Sequence, residues 1–245
     1  MRGFTIKPGG RAVSAIIIAV LLATLATSRE ARSTDLTMPS FLVATRDLQD
    51  PLFQHSVILM VPSTEPPFLA GLIINTPAQT YPWPIDAVRA RTMRRVRDLV
   101  PQVRDLKAPN DAIYAGGPVE PDEVSAIFRA SSAQSSATRV FGDVFVANGH
   151  DAIAAVLKDS RITDFRVISG KAQWRHDQLL GEVMAGAWYV IPAKADLIFT
   201  DPKDLWVTLV KGGDLQEAQA AQALEWNLPY RLLDGTNWQR RISPK

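Results

Sequence analysis

The side chains of this sequence that could carry acid–base or metal chemistry are few and widely spaced. The three histidines are His55, His150 and His176, and none stands in the H-x-x-x-H spacing that brings two imidazoles to one metal ion. The chain has no cysteine, which excludes disulfides, thiolate metal sites and cysteine nucleophiles. These patterns predict no metal site, no cofactor and no catalytic residue.

Nucleophile and phosphate-binding motifs are absent or incomplete. The sequence has no G-x-S-x-G elbow, and Ser169-Gly170-Lys171 places its serine and lysine only two residues apart at a strand end, where a working pair rarely forms. Gly116-Gly117-Pro118 lacks the lysine of a phosphate-binding loop, so we interpret it as a turn with close backbone approach, and a ligand cleft is the alternative. The acidic residues that follow, Glu120, Asp122 and Glu123, are interpreted as a solvated turn.

Five arginines crowd into nine residues of one segment. They are Arg89, Arg91, Arg94, Arg95 and Arg97. The spacing favours an exposed helix whose arginine stems cover apolar surface. The alternative is a patch for an anionic partner, such as a lipid headgroup, a polysaccharide or nucleic acid.

The overall charge argues against a nucleic-acid function for the whole chain. The net charge is +2 and the pI is about 9.0. Residues 1–33 hold five basic residues against Glu30 alone, so the other 212 residues are slightly acidic. Because nucleic-acid binding depends on neutralising phosphates, the basic pI is weak support for it, and we expect no nucleic-acid partner if the chain is exported.

The first 33 residues have the three-part layout of a secretory signal peptide. Basic residues lead to Arg11, an uncharged apolar run extends from Ala12 to Ala26, and small residues follow at Ser28 and Ser33. We expect export to the periplasm with cleavage of this leader. Two alternatives stay open: the leader anchors the protein in the inner membrane, or translation starts at Met38 and the protein is cytoplasmic.

Beyond the leader, apolar runs predict a series of strands, and apolar residues at helical spacing predict fewer helices. The strands are expected at Phe41–Thr45, Ser56–Val61, Leu69–Asn75, Ala112–Ala115, Val124–Arg129, Val140–Ala147, Phe165–Ile168 and Trp188–Ile191. The helices are expected at Asp151–Lys158, His176–Ala185, Pro202–Val210 and Gln216–Glu225. Because strands come in runs, we predict one α+β domain over residues 38–213 with a mostly antiparallel sheet, followed by a helical and loosely ordered tail over residues 214–245.

Several ordered blocks of the chain resemble the AlgH/YqgE family of bacterial proteins. They are FLVATRDLQDPLFQHSVILMV from Phe41, GLIINTP from Gly71, YAGGPVEPD from Tyr114, SGKAQWRHDQLLGEVMAGAWYVIPA from Ser169, and ADLIFTDPKDLW from Ala195. The resemblance implies an α+β fold in which a curved, bifurcated sheet forms a pseudo-barrel with helices outside. It implies no agreed enzyme activity, and the family's transcriptional label has no helix-turn-helix to support it here.

By this resemblance, we expect the shared turns to line a groove for an unknown protein or small-molecule partner. The groove residues are Asp50, Asn75, Gly116, Gly117, Pro118, Trp174, Gln178 and Glu182. The leading hypothesis is a non-enzymatic binding or regulatory-accessory protein in the periplasm. The alternatives are a cofactor-free hydrolase using Asp50, His55 or Glu182 as acid or base, and a cytoplasmic DNA-associated regulator starting at Met38.

Overall fold

A computed structural model describes residues 39–92, 95–101 and 111–212 of the chain. Nine strands form one sheet in the order β6-β7-β5-β8-β3-β2-β1-β9, with β4 added to β8. The strands are Ser40–Ala44 (β1), Val57–Val61 (β2), Phe68–Ile73 (β3), Ile113–Ala115 (β4), Val119–Arg129 (β5), Thr138–Phe141 (β6), Val144–Asn148 (β7), Phe165–Arg175 (β8) and Trp188–Pro192 (β9). The sheet curves into a half-barrel, which confirms the predicted single α+β domain.

Strand β8 is where the sheet branches. Its first half pairs with β4 in parallel and with β5 antiparallel, while its second half pairs with β3. Gly170, with φ +74°, interrupts the strand between these halves. All other pairings are antiparallel, as expected.

Six described helices cover the sheet. They are Val88–Thr92 (α1), Val96–Leu99 (α2), His150–Leu157 (α3), His176–Met184 (α4), Ala195–Ile198 (α5) and Leu205–Lys211 (α6). Alternate residues of β1 point into two separate apolar clusters: Phe41 and Val43 pack with residues of α5 and α6, whereas Leu42 and Ala44 pack with residues of α4. A third cluster lies between β5, β7, β8 and helices α1 to α3.

Several sequence expectations differ from the structure. The run Val140–Ala147 is a hairpin, because Gly142 (φ +47°) turns the chain between β6 and β7. The segment Ala130–Thr138, which the sequence predicts to join two antiparallel strands, leads from β5 to β6, while the antiparallel partner of β5 is β7. The arginine-rich segment contains two short helices instead of one, and β8 continues seven residues beyond its predicted end at Ile168.

The last helix also starts later than expected. The helix expected from Pro202 begins at Leu205, and Asp201, which the sequence predicts as its N-cap, accepts the Lys203 amide in the preceding turn instead. The predicted leader, the tail with its helix at 216–225, and Arg94 all lie outside the described residues.

Candidate binding site

The carboxylate of Glu182 on α4 contacts two other side chains expected in the groove and one that was not expected. Its Oε2 accepts the indole N–H of Trp174 at 3.0 Å and that of Trp188 at 2.9 Å. Its Oε1 accepts the side-chain amide of Gln178, one helical turn earlier, at 3.0 Å. The structure therefore brings Trp174, Gln178 and Glu182 together, and Trp188 is a further member of this network.

Local sequence explains how these groups meet. Trp174 is the penultimate residue of β8, and α4 starts two residues later, so the helix folds back over the strand. Leu179 and Val183 are buried on the inner face of α4. Glu182 precedes Val183, which places its carboxylate at the edge of that face, above the two buried indoles.

A loop between β1 and β2, residues 45–56, packs on the same cluster. The ring of Phe53 lies 6.0 Å from Trp174 and 5.8 Å from Trp188, measured between ring centroids. One end of the loop is fixed by Thr45, whose hydroxyl donates to the Gly186 carbonyl at 2.8 Å. We call Phe53, Tyr81, Trp174 and Trp188, with this loop, the aromatic site.

Asn75 fixes the other end of the loop. Its Oδ1 accepts the Val57 amide at 2.8 Å, and its Nδ2 donates to the His55 carbonyl at 2.9 Å. Asp50 shapes the middle of the loop, because its Oδ1 accepts the Leu52 amide at 2.8 Å in an Asx turn. Both predicted groove residues therefore hold the loop in place through backbone contacts.

Two buried hydroxyls near this loop have no hydrogen-bond partner within the described part of the chain: those of Tyr81 and Ser56. Tyr81 packs in the same cluster as Trp174 and Trp188, and its ring meets Trp83 edge-on at 4.7 Å. Burial raises the pKa of the Tyr81 phenol, and the negative charge of Asp50 raises it further. Sequence reasoning missed Tyr81, since a single tyrosine between prolines carries no distinctive pattern.

The predicted glycine turn, Gly116-Gly117-Pro118, lies where the sheet branches at β8. Gly116 donates its amide to Ser169 and accepts from Ile73, so it bridges β8 and β3. A Cβ on Gly117 (φ +145°) would lie 2.4 Å from backbone atoms of Lys171. No described hydrogen bond joins Gly116, Gly117 or Pro118 to the Glu182 network.

The three side chains proposed as acid or base in a hydrolase each contact a different part of the structure. Glu182 holds the two indoles, Asp50 closes its own turn, and the His55 ring packs 4.3 Å from that of Trp206. Within the residues that the structure covers, no hydrogen bond or ring contact joins these three groups to one another. Their arrangement does not supply an acid and a base facing one position.

The serine–lysine motif is likewise occupied. The Ser169 hydroxyl donates to the Pro121 carbonyl at 2.6 Å, while the Lys171 ammonium contacts Glu65 at 2.8 Å and Glu120 at 2.9 Å. The acidic stretch interpreted as a solvated turn is therefore a paired bulge of β5. The next acid in it, Asp122, accepts the backbone amide of Ala90 in α1 at 2.8 Å.

The described arginines of the predicted anionic-partner patch have internal partners. Arg95 and Arg97 both contact Asp111, at 3.8 and 2.5 Å, and the hydrogen bonds from Arg97 hold the pKa of Asp111 below its ordinary value. Arg91 donates to the Ile85 carbonyl at 3.4 Å. The side chain of Arg89 and all of Arg94 lie outside what the structure describes.

Among residues 39–92, 95–101 and 111–212, no helix has both the length and the apolar character needed to cross a bilayer. In the same ranges, histidine and carboxylate side chains form no group of three or more that could hold a metal ion.

Comparisons with known proteins agree with this architecture. The model of the AlgH-like family matches residues 41–216. A UPF0301 protein of Thioalkalivibrio sulfidiphilus is 30% identical over 164 residues, covering 67% of this chain and 82% of that protein. The UPF0301 protein YqgE of Escherichia fergusonii is 28% identical over 168 residues, covering 68% of this chain and 86% of the relative.

Two solved structures share the fold. The crystal structure of protein DIP2367 from Corynebacterium diphtheriae has a TM-score of 0.55 and 22% identity, covering 74% of this chain and 91% of that one. The solution structure of the AlgH protein from Pseudomonas aeruginosa has a TM-score of 0.52 and 22% identity, covering 80% and 97%. The family match spans most of the domain, and the chain therefore belongs to the AlgH-like family.

Proposed function

We propose that this AlgH-like protein is a non-enzymatic binding protein that acts in the periplasm. Its partner, a protein or a small molecule, engages the aromatic site at the loop of residues 45–56. The observation that carries the proposal is the pair of buried, unpartnered hydroxyls of Tyr81 and Ser56 near a loop that is pinned at both ends.

Buried polar groups in folded proteins are nearly always hydrogen-bonded, because leaving one unpaired costs on the order of 1–3 kcal/mol. A bound partner can provide the missing acceptors and donors. Strand alternation puts Ser56 on the same face of β2 as Ile58 and Met60, which belong to the apolar cluster that contains Tyr81. Both hydroxyls therefore lie on the sheet face that carries the aromatic site.

The exposed rim of this site offers recognition groups of two kinds. The Asp50 carboxylate has one oxygen in its turn and its other oxygen without a described hydrogen bond. The exposed Gln178 amide is anchored on Glu182 through one of its atoms only. A rigid aromatic floor with a few fixed polar groups is the usual construction of a ligand site.

A binding role is favoured over hydrolysis because the acid–base candidates serve the fold. Glu182 uses both carboxylate oxygens to hold side chains, and His55 is packed against Trp206. A general acid or base must instead stand within hydrogen-bond reach of a substrate proton.

Export is supported by the leader sequence, with its basic start, uncharged apolar centre and small-residue end. The decisive measurement is N-terminal sequencing of the protein recovered from fractionated cells. A periplasmic form starting near residue 29 or 34 supports export. An intact leader in the membrane fraction contradicts its cleavage, and a cytoplasmic form starting at Met38 contradicts export.

Partner binding is tested by chemical cross-linking and recovery of tagged protein from cells. Tyr81→Phe removes one buried hydroxyl and Gln178→Ala removes one rim amide, and we expect both variants to recover at least tenfold less partner than the unchanged protein. Gln173→Ala, a partly buried glutamine that donates to Glu65 at 3.3 Å outside the aromatic site, is the matched control. Equal recovery by all three variants contradicts the assignment of the site.

A further inference from the structure

A second surface cavity, separate from the aromatic site, lies where β5 ends. Its volume is about 240 Å³, below the range of roughly 300–1,000 Å³ that is typical of pockets for drug-sized ligands. It is formed by the end of β5 with the loop that follows it, the start of β7, and the connection from α3 to β8. The size suits a ligand of about one sugar ring.

Arg129, the last residue of β5, forms one wall of this cavity. Its Nε and Nη2 atoms each lie 2.8 Å from Oδ2 of Asp143, and its Nη1 donates to Asp196 at 3.0 Å. The backbone amide of Arg129 donates to the Asp164 carbonyl at 3.0 Å, which fixes the opposite wall. The guanidinium is therefore held in one orientation before any ligand arrives.

A second arginine stands on the facing connection. Arg161 donates from Nε and Nη2 to the two carboxylate oxygens of Asp159, at 2.9 and 2.7 Å. Its backbone amide also donates to Asp159 at 3.0 Å. These bonds lower the pKa of Asp159 to about 2, so the pair stays ionised throughout the neutral range.

Other polar groups of the lining have no side-chain partner in the described ranges. They are the carboxylate of Asp164, the hydroxyls of Ser131 and Ser132, and the amide of Gln134. The cavity thus presents hydrogen-bond acceptors and donors side by side, with most of its charges already paired.

We propose that this cavity binds a neutral polyhydroxylated ligand such as a sugar unit. Each hydroxyl of a polyol can donate to a carboxylate and accept from a guanidinium without breaking either ion pair. A phosphate or carboxylate would meet three aspartates in the lining, and both arginines already have an aspartate partner. The lining therefore disfavours anions, and an amine that pairs with Asp164 is the charged class that competes with a polyol.

The test is a titration of the isotope-labelled protein followed by NMR. The probes are glycerol, D-glucose, D-mannose, D-galactose and N-acetylglucosamine, with inorganic phosphate and putrescine as charged competitors. We expect at least one of the neutral probes to shift the amide signals of residues 129–134 and 159–164 saturably at millimolar concentration, while phosphate leaves them unchanged and putrescine shifts them only at higher concentration.

Arg161→Ala is expected to lower the affinity for the tightest-binding probe at least tenfold. The matched control is Arg175→Ala, because Arg175 forms the same two-residue-spaced pair with Asp177, at 2.7 Å, outside the cavity. Three results overturn the proposal: no neutral probe shifts these signals, a charged probe shifts them at lower concentration than every polyol, or both variants weaken binding equally.

Discussion

The carboxylate of Glu182 provides the sharpest test of how this protein is held together. Replacing Glu182 with alanine leaves the indole N–H groups of Trp174 and Trp188 without an acceptor. Each of these tryptophans is only 2% exposed, so water cannot replace the lost oxygen without a rearrangement. The third donor, Gln178, is exposed and can turn to solvent at little cost.

The expected magnitude follows from these contacts. One unpaired buried donor costs about 1–3 kcal/mol, so two predict a loss of about 2–6 kcal/mol in the free energy of unfolding. This is a large share of the roughly 5–15 kcal/mol that stabilises a typical domain.

Glu182→Gln should be much milder, with a loss of about 1 kcal/mol. One oxygen of Glu182 already accepts both indoles, and the glutamine oxygen can keep that role. The loss comes from replacing a charged acceptor with a neutral one, which weakens hydrogen bonds by about half.

Urea unfolding followed by tryptophan fluorescence measures all variants, because Trp174 and Trp188 are themselves reporters. Glu123→Ala, an exposed glutamate on β5, serves as the control and should change stability by less than about 0.5 kcal/mol. The reasoning is refuted if Glu182→Ala stays within about 1 kcal/mol of the unchanged protein, or if the glutamine variant loses as much as the alanine variant.

Four further predictions use the same unfolding measurement. Tyr81→Phe should stabilise the unliganded protein by about 1 kcal/mol, since it removes a buried hydroxyl that lacks a protein partner, and a loss of stability would show that the hydroxyl is bonded. Asn75→Ala should cost about 2–3 kcal/mol and speed amide exchange at the start of β2, because two backbone contacts are lost; unchanged exchange would count against this role. The pKa of Asp111 is lowered in the folded state, so its ion pair stabilises the protein above pH about 4 and is lost as the pH falls further. Asp111→Asn should therefore lower the free energy of unfolding at pH 7 and make it fall less steeply with acidification; an equally steep fall in both proteins would refute the pairing. Gly117→Ala should lower the free energy of unfolding far more than Gly142→Ala, which costs about 1–2 kcal/mol, because only the Cβ at residue 117 meets the backbone of β8. Similar losses of stability in the two variants would contradict this close approach.

The fold was largely predictable because most strands are short, uninterrupted apolar runs. The first three strands were expected within about two residues of their observed ends. The second half of β8 was missed for a physical reason. The first half of β8 is buried on both faces and forms a compact run, whereas the residues from Gly170 onward alternate polar with apolar. Because the pattern changes at Gly170, the apolar run marks only the first half of the strand.

The candidate site was predictable only in part. The resemblance pointed to Trp174, Gln178 and Glu182, which the structure brings together. Composition and spacing alone could not do so, because the shared carboxylate contacts arise from α4 folding back over β8. Tyr81 was missed because its importance lies in a contact that it lacks, and no local pattern encodes that.

The pairing of β1 with both β2 and β9 has a consequence for how the chain acquires its structure. Phe41 lies opposite Ile191, so β1 cannot pair on both of its edges until about 150 further residues are available. Such distant pairings give a high contact order and slow folding. Strands β1, β2 and β3 pair with one another in sequence order and can form early, whereas β1 gains its second partner only once β9 is available. The last strand of the domain therefore completes the sheet beside its first strand.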